Sequence, residues 1–165
     1  MDCIVESNGA RISYTVDGPL DRPVLLFINS IGTTRDLWKQ QVPALVGTYR
    51  IIRYDARGHG SSSVPAGDYT IAQLGRDALA ILDAEDVAQA HVCGISLGGL
   101  TGLWLALNAP DRVAMRFKER PQTAIRRQIP QFRPEFEIDE DRMTATTLPR
   151  RYYKWSAFCP FVDDG

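Results

Sequence analysis

Apolar and polar residues alternate with a period of two near the start of the chain, and this pattern predicts a β-hairpin. The alternation covers residues 3–7 and 11–16, so every second side chain can face a core. Asn8-Gly9 lies between the two segments, and this dipeptide is typical of a two-residue hairpin turn. Asp17-Gly18-Pro19 is expected to end the second strand.

After the hairpin, short apolar runs alternate with segments of helical spacing. Residues 24–29, 49–55 and 90–95 form the apolar runs, as expected of strands that are covered on both faces. Residues 34–45, 71–82 and 97–107 carry their larger apolar side chains at helical spacing. This rhythm predicts an α/β fold with crossover connections and a mostly parallel sheet flanked by helices.

The pattern stops at about residue 114. Half of the ten prolines in the chain, all five that follow residue 114, fall in the last third, and no clear period of two or 3.6 is visible there. We therefore expect a partial core at residues 1–113 and an unassigned tail at residues 114–165. The tail is expected either to arise from a frameshift or to be poorly ordered.

The strongest candidate for chemistry is the segment Gly94-Ile95-Ser96-Leu97-Gly98-Gly99, between a predicted strand and a predicted helix. This is the context of a G-x-S-x-G nucleophile elbow, a turn so tight that the residues two before and two after the serine must be small. Gly94 and Gly98 satisfy that demand. The Leu97 N–H would lie at the helix N-terminus, where its partial positive charge can stabilise an oxyanion. No G-x-G-x-x-G or phosphate-loop lysine motif competes with this interpretation.

Two further segments accompany the elbow, in an order that resembles the α/β-hydrolase superfamily. A strand runs into the small-residue loop Asn29-Ser30-Ile31-Gly32-Thr33-Thr34, and the later loop Asp55-Ala56-Arg57-Gly58-His59-Gly60-Ser61-Ser62 matches D-x-R-G-x-G-x-S. Together with Trp38 and the elbow, the sequences of these segments are most similar to those of 3-oxoadipate enol-lactonases. The resemblance covers residues 1–113, the N-terminal half of the fold up to the nucleophile helix.

The resemblance implies a serine hydrolase that opens an enol-lactone during the catabolism of aromatic compounds, with no metal or organic cofactor. Ser96 would be the nucleophile, and the backbone N–H groups of Ile31 and Leu97 would form the oxyanion hole. The substrate would be a small lactone or ester, and a generic carboxylesterase is an alternative that differs only in substrate. A serine at the elbow argues against the dehalogenase and epoxide-hydrolase branches, which place an aspartate there.

An active serine needs a base, and the family places an acid and then a histidine after the nucleophile. The two histidines of this sequence, His59 and His91, both precede Ser96. His91 lies five residues upstream on the same predicted strand, roughly 16 Å away at about 3.3 Å per residue. In the family one strand separates the strand before His59 from the nucleophile strand, which places His59 about 10 Å away. His59 is a weak candidate for the base, and loop hydrogen bonding is its stronger expectation.

The acid is not assigned either. Asp111 is expected to be a cap or surface residue after the nucleophile helix. The remaining acidic candidates lie in the tail: Asp139, Asp141, Asp163 and Asp164. Without a histidine and an acid, we expect impaired catalysis in a chain truncated after the nucleophile helix.

Such a chain would leave the strand at residues 90–95 as an exposed apolar edge, which invites pairing with a second copy. A catalytically silent remnant that acts as an oligomerising or interaction module is therefore the alternative from another class.

Composition and charge exclude several other partners. The formal net charge of −1 gives no reason to expect nucleic acid, and no apolar run approaches the roughly 18 residues of a membrane span. The three cysteines are far apart, and they form neither a disulfide framework nor a metal-ligand pattern. The N-terminus is acidic where a signal peptide carries positive charge, so we expect a cytoplasmic protein without a bound metal.

Overall fold

The computed structural model describes residues 2–114, which form a five-stranded mixed sheet with helices. The strands are β1 (Asp2–Ser7), β2 (Ala10–Asp17), β3 (Val24–Ile28), β4 (Arg50–Tyr54) and β5 (Ala90–Gly94). The helices are α1 (Val42–Leu45), α2 (Ile71–Ala84) and α3 (Leu97–Asn108), with short 3₁₀ turns at Arg35–Trp38 and Pro110–Arg112. The sheet order is β1-β2-β4-β3-β5.

The N-terminal hairpin is confirmed. β1 and β2 pair antiparallel with Ser7 opposite Ala10, and the two turn residues, Asn8 and Gly9, have φ values of 45° and 76°. Positive φ at both positions is the requirement of a type I′ turn, whose twist matches that of the flanking strands.

The parallel part of the sheet is also confirmed, with β3 parallel to both β4 and β5. All five residues of β3 are buried, as are all five of β4. The reason is that successive side chains enter two different clusters. Leu26 and Ile28 pack with residues of α2 and α3 on one face, whereas Leu25 and Phe27 pack against Trp38 on the other.

The helix expected at residues 34–45 is wrong as a single element, because the structure has a 3₁₀ turn followed by the four-residue α1. Pro43 explains the break. Proline lacks the N–H that would continue a helix, and its ring clashes with the carbonyl four residues earlier. A new helix can nevertheless begin with proline in its first turn, which is where Pro43 lies.

The helix predicted at residues 71–82 is confirmed as α2 and extends to Ala84. It begins with a capping box in which the Thr70 hydroxyl accepts from the Gln73 N–H and the Gln73 side chain accepts from the Thr70 N–H. Its apolar face carries Leu74, Ala78 and Ile81, all buried.

The predicted tail lies outside the described residues except for Ala114. Its backbone N–H donates to the Ala90 carbonyl oxygen at 2.8 Å, next to a parallel bridge between Ala90 and Val113.

Candidate active site

Three loops leave the same edge of the sheet, because β3, β4 and β5 are parallel neighbours. Ile28 pairs with Gly94, and Phe27 pairs with Arg53, so the three strands end at one level. The loop after β3, the loop after β4 and the turn after β5 therefore begin side by side. The carboxyl edge of a parallel sheet is where α/β proteins place their ligands. β3 lies between β4 and β5, which confirms the expected separation by one strand.

Ser96 has an unusual backbone conformation at the junction of β5 and α3. Its φ is 53° and its ψ is −115°, a combination outside the regions that L-residues favour. Such a residue costs about 1–3 kcal/mol and persists only where its surroundings impose it. The turn is closed by the Gly98 N–H, which donates to the Ile95 carbonyl at 2.9 Å. Ser96 is solvent-exposed in this position.

Gly94 and Gly98 make the close packing around this turn possible. A Cβ built on Gly94 would lie 2.9 Å from the Gly99 nitrogen and would overlap the Gly98 carbonyl. A Cβ on Gly98 would lie 2.6 Å from the Ile28 carbonyl carbon. Real Cβ atoms essentially never approach another atom so closely. The two glycines therefore let α3 start directly against the end of β3.

Leu97 is the first residue of α3. Its N–H has no carbonyl one turn back within the helix, so it is one of the unpaired donors that every helix N-terminus carries. Together with the helix dipole, this N–H creates positive potential beside the Ser96 hydroxyl.

The loop after β3 contains a tight turn from Ser30 to Thr33. The Thr33 N–H and hydroxyl both donate to the Ser30 carbonyl, at 3.3 and 2.8 Å. Gly32 occupies the third position with a φ of 72°, which type II turns require and glycine supplies without strain. Ile31 precedes it and is 68% exposed, an unusual position for a large apolar side chain.

Three hydrogen bonds fasten this loop to β4 and the loop that follows it. The Asn29 side-chain amide donates to the Tyr54 carbonyl at 2.9 Å, at the start of the loop. The Gly32 N–H donates to Nε2 of His59 at 2.9 Å, at its tip. The Arg35 N–H donates to Oδ1 of Asp55 at 2.7 Å, at its end. The loop hydrogen bonding expected of His59 is confirmed, whereas the contacts of Asn29 and Asp55 were not predicted from the sequence.

Arg57 and Asp77 form a buried ion pair beneath the loop after β4. Arg57 donates to both Asp77 carboxylate oxygens, at 2.7 and 2.6 Å, and their side chains are 2% and 0% exposed. The hydrogen bond to Asp77 raises the pKa of Arg57. The guanidinium also donates to the Ser7 carbonyl at 3.3 Å, so it ties the loop to both α2 and the hairpin.

Both histidines contact groups other than Ser96. His59 uses Nε2 for Gly32, and its Nδ1 lies 3.1 Å from the Arg57 carbonyl oxygen. Both ring nitrogens thus contact backbone groups, which argues against His59 as the base. His91 lies on β5, where its ring meets Tyr49 edge-on at 5.8 Å.

One of the acidic candidates, Asp111, lies within the described residues. Asp111 is exposed in the 3₁₀ turn that follows α3, roughly 18 Å along the helix from Ser96 at 1.5 Å per residue. The other four acidic candidates, at positions 139, 141, 163 and 164, lie outside the described residues.

Within residues 2–114, no group of three or more His, Cys, Asp or Glu side chains could hold a metal ion. No helix in this part of the chain is long and apolar enough to cross a membrane.

A family model described as "alpha/beta hydrolase fold" matches residues 23–155, most of the chain. The chain belongs to the α/β-hydrolase family. The matched range contains all three loops of the candidate site.

Individual α/β hydrolases are similar over the same region. The 3-oxoadipate enol-lactonase 2 of Acinetobacter baylyi is 50% identical over 101 residues, which cover 61% of this chain and 38% of that protein. A hydrolase from Pseudomonas aeruginosa has a crystal structure that superposes with a TM-score of 0.66 at 52% identity, over 68% of this chain and 43% of that one. The enol-lactonase from Burkholderia xenovorans gives a TM-score of 0.66 at 42% identity, over 67% and 44%. This chain thus spans about two-fifths of the length of the curated relatives it matches.

Proposed function

We propose that Ser96 is the nucleophile of an enol-lactone-hydrolysing enzyme of the α/β-hydrolase family. The observation that carries this proposal is the backbone of Ser96, exposed at φ 53° between β5 and α3. The strained conformation lifts the hydroxyl out of the turn, where a carbonyl carbon can approach it. Similarity to proteins named as enol-lactonases supports the choice of substrate.

In the proposed reaction the Ser96 oxygen attacks the lactone carbonyl carbon, and the negative charge moves to the carbonyl oxygen. The backbone N–H groups of Ile31 and Leu97 would stabilise that charge, because both lie at the carboxyl edge beside the elbow. The ring C–O bond then breaks, the serine proton ends on the enol oxygen, and the enol relaxes to a ketone. Water hydrolyses the resulting acyl-serine and frees the acid.

Removal of the serine proton limits this scheme. Both histidines precede Ser96 in the sequence, and the ring nitrogens of His59 are occupied by backbone groups. We therefore propose that these 165 residues carry the nucleophile and oxyanion donors but turn over slowly. The missing general base is the reason, since such a base contributes typically about 10²–10⁴-fold.

A fluorophosphonate probe with imidazole added as an external base tests the proposal, because the probe labels serines whose proton a base can remove and does not need full turnover. We expect labelling of the wild type, none of Ser96→Ala, and wild-type labelling of Ser61→Ala, which removes an exposed hydroxyl near the same edge. Absence of labelling in the wild type would contradict the assignment of Ser96.

The substrate class has its own test. Preincubation with an enol-lactone should slow labelling of Ser96 more than preincubation with a simple acyl ester of equal size at the same concentration does. Stronger protection by the ester would favour the generic carboxylesterase. Added imidazole should also accelerate lactone hydrolysis by the wild type but not by Ser96→Ala, since it can supply the absent base.

A second candidate, an oligomerising module, is motivated by the position of β5 at one end of the described strand order. Strands at sheet ends are where another chain can pair. If this candidate were correct, size-exclusion chromatography with light scattering would give the mass of a dimer. The probe would also fail to label the protein. A cytoplasmic location stays a prediction.

A further inference from the structure

The hydrogen bond from the Gly32 N–H to Nε2 of His59 joins two loops that the sequence separates by 27 residues. Gly32 lies at the tip of the turn that carries Ile31, and His59 lies in the loop after β4. Asn29 and Arg35 fasten the two ends of the same loop, so His59 provides the contact at its centre.

From this contact we infer that His59 is a positioning residue, which fixes the Ile31 region of the oxyanion loop by accepting the Gly32 N–H. The inference rests on the proposed role of the Ile31 N–H as an oxyanion donor. It assigns to His59 no contact with the substrate.

The geometry of a type II turn explains why one bond at this point matters. The peptide unit between the second and third turn residues, Ile31 and Gly32, can rotate as a plate, which interconverts turn types I and II. The Gly32 N–H belongs to that plate, so its bond to His59 holds the plate in one orientation. The adjacent plate carries the Ile31 N–H, and the two share the Ile31 Cα.

The partners of His59 also determine its tautomer. The Arg57 carbonyl can only accept, so Nδ1, at 3.1 Å, must carry the proton. The Gly32 N–H can only donate, so Nε2 must offer its lone pair. These two contacts select the tautomer with the proton on Nδ1, and the Arg57 carbonyl orients the ring so that Nε2 faces the turn.

Two amide substitutions separate these contacts. In glutamine the side-chain oxygen lies four bonds from Cα, as Nε2 does in histidine, so His59→Gln can still accept from Gly32. In asparagine the side-chain amide nitrogen lies three bonds from Cα, as Nδ1 does in histidine. His59→Asn can therefore still donate to the Arg57 carbonyl, but it cannot reach the Gly32 N–H. His91→Gln is a matched histidine control outside the oxyanion loop.

The experiment measures fluorophosphonate labelling of Ser96 in the full chain with imidazole added as an external base, together with hydrogen exchange of the Gly32 amide by NMR. We expect His59→Asn to slow labelling by about 3- to 10-fold, the effect of one hydrogen bond, and to accelerate Gly32 exchange. His59→Gln should bring the labelling rate and the Gly32 exchange rate back to within about 2-fold of the wild type, a difference smaller than the effect of losing one such bond. His91→Gln should change neither rate.

Equal labelling by the Asn and Gln variants would overturn the inference, as would an Nε2–H tautomer in the imidazole ¹⁵N spectrum. If the wild type is not labelled, the proposed function fails, and the positioning role is then judged from Gly32 exchange alone. Unchanged exchange in His59→Asn would overturn it in that case, and faster exchange that His59→Gln restores would support it.

Discussion

Arg57 donates to both carboxylate oxygens of Asp77, in an ion pair that is almost fully removed from solvent. The pair joins the loop after β4 to α2, and so supports the loop that carries His59. A buried pair contributes little relative to a well-packed apolar pair, but loss of one partner leaves an uncompensated charge.

We therefore predict that Asp77→Ala lowers the free energy of unfolding by about 3–5 kcal/mol, as measured by urea denaturation. The control is Asp83→Ala, on the same helix, where the carboxylate is 64% exposed and pairs with Arg112. That variant should lose about 0–1 kcal/mol, as exposed pairs do. Equal losses in the two variants would contradict the prediction.

Tyr54 predicts the behaviour of the fold at alkaline pH. Burial raises the pKa of Tyr54 above its ordinary value, and the nearby Asp77 carboxylate raises it further. The unfolded chain releases this proton above about pH 10, whereas the folded chain keeps it. The folded state then binds more protons, so the free energy of unfolding falls as pH rises, by up to about 1.4 kcal/mol per pH unit.

Urea denaturation between pH 8 and 11.5 measures this slope. Tyr54→Phe should flatten it above about pH 10 and leave the curve below pH 9 parallel to that of the wild type, since both states keep the tyrosine proton there. Tyr14→Phe should flatten it further, because burial and a hydrogen bond to the Glu85 carboxylate raise the pKa of Tyr14. A slope that neither substitution changes would exclude these two side chains as its source.

Much of the fold could be predicted because apolar periodicity reports on burial. The runs that became β3 and β4 are buried on both faces, and Asn8-Gly9 determines its own turn. The helix expected at residues 34–45 failed because periodicity does not register the missing N–H of Pro43.

The site was predictable only where steric demands leave a trace in the sequence. Gly94 and Gly98 mark the elbow because nothing larger fits. Asp77 was missed, although a signal existed: it lies three residues after Leu74 and one before Ala78, on the apolar face of α2. The contact between Gly32 and His59 leaves no such trace, because one partner is a backbone N–H that any residue but proline would supply.

The strain at Ser96 predicts a difference between two inactive variants. Ser96→Gly removes the Cβ that makes φ 53° unfavourable, whereas Ser96→Ala keeps it. Relief of about 1–3 kcal/mol is partly offset by about 0.5–1 kcal/mol from the greater freedom of glycine in the unfolded chain. Ser96→Gly should therefore be more stable than Ser96→Ala by about 1 kcal/mol in urea denaturation, with neither variant labelled by the probe. Greater stability of the alanine variant would show that the conformation carries no strain.

Gly98 lies where α3 packs directly against the end of β3. In Gly98→Ala the new methyl would lie 2.6 Å from the Ile28 carbonyl carbon and 2.7 Å from the Asn29 oxygen. Both are backbone atoms at the end of β3, so we expect a loss of about 3 kcal/mol in unfolding free energy and no probe labelling. Gly47→Ala is the matched control, because a Cβ there meets nothing within 4 Å. Similar stability of the two variants would contradict the packing described for the elbow.

Labelling of Ser96 depends on a backbone conformation of the folded state, so the amount of labelling measures the folded fraction. An unfolded chain has no reason to keep φ 53° and ψ −115°, and it also lacks the helix N-terminus at Leu97. Reactivity and tertiary structure should thus disappear at one denaturant concentration, and a single labelled band would report how much of a sample is folded.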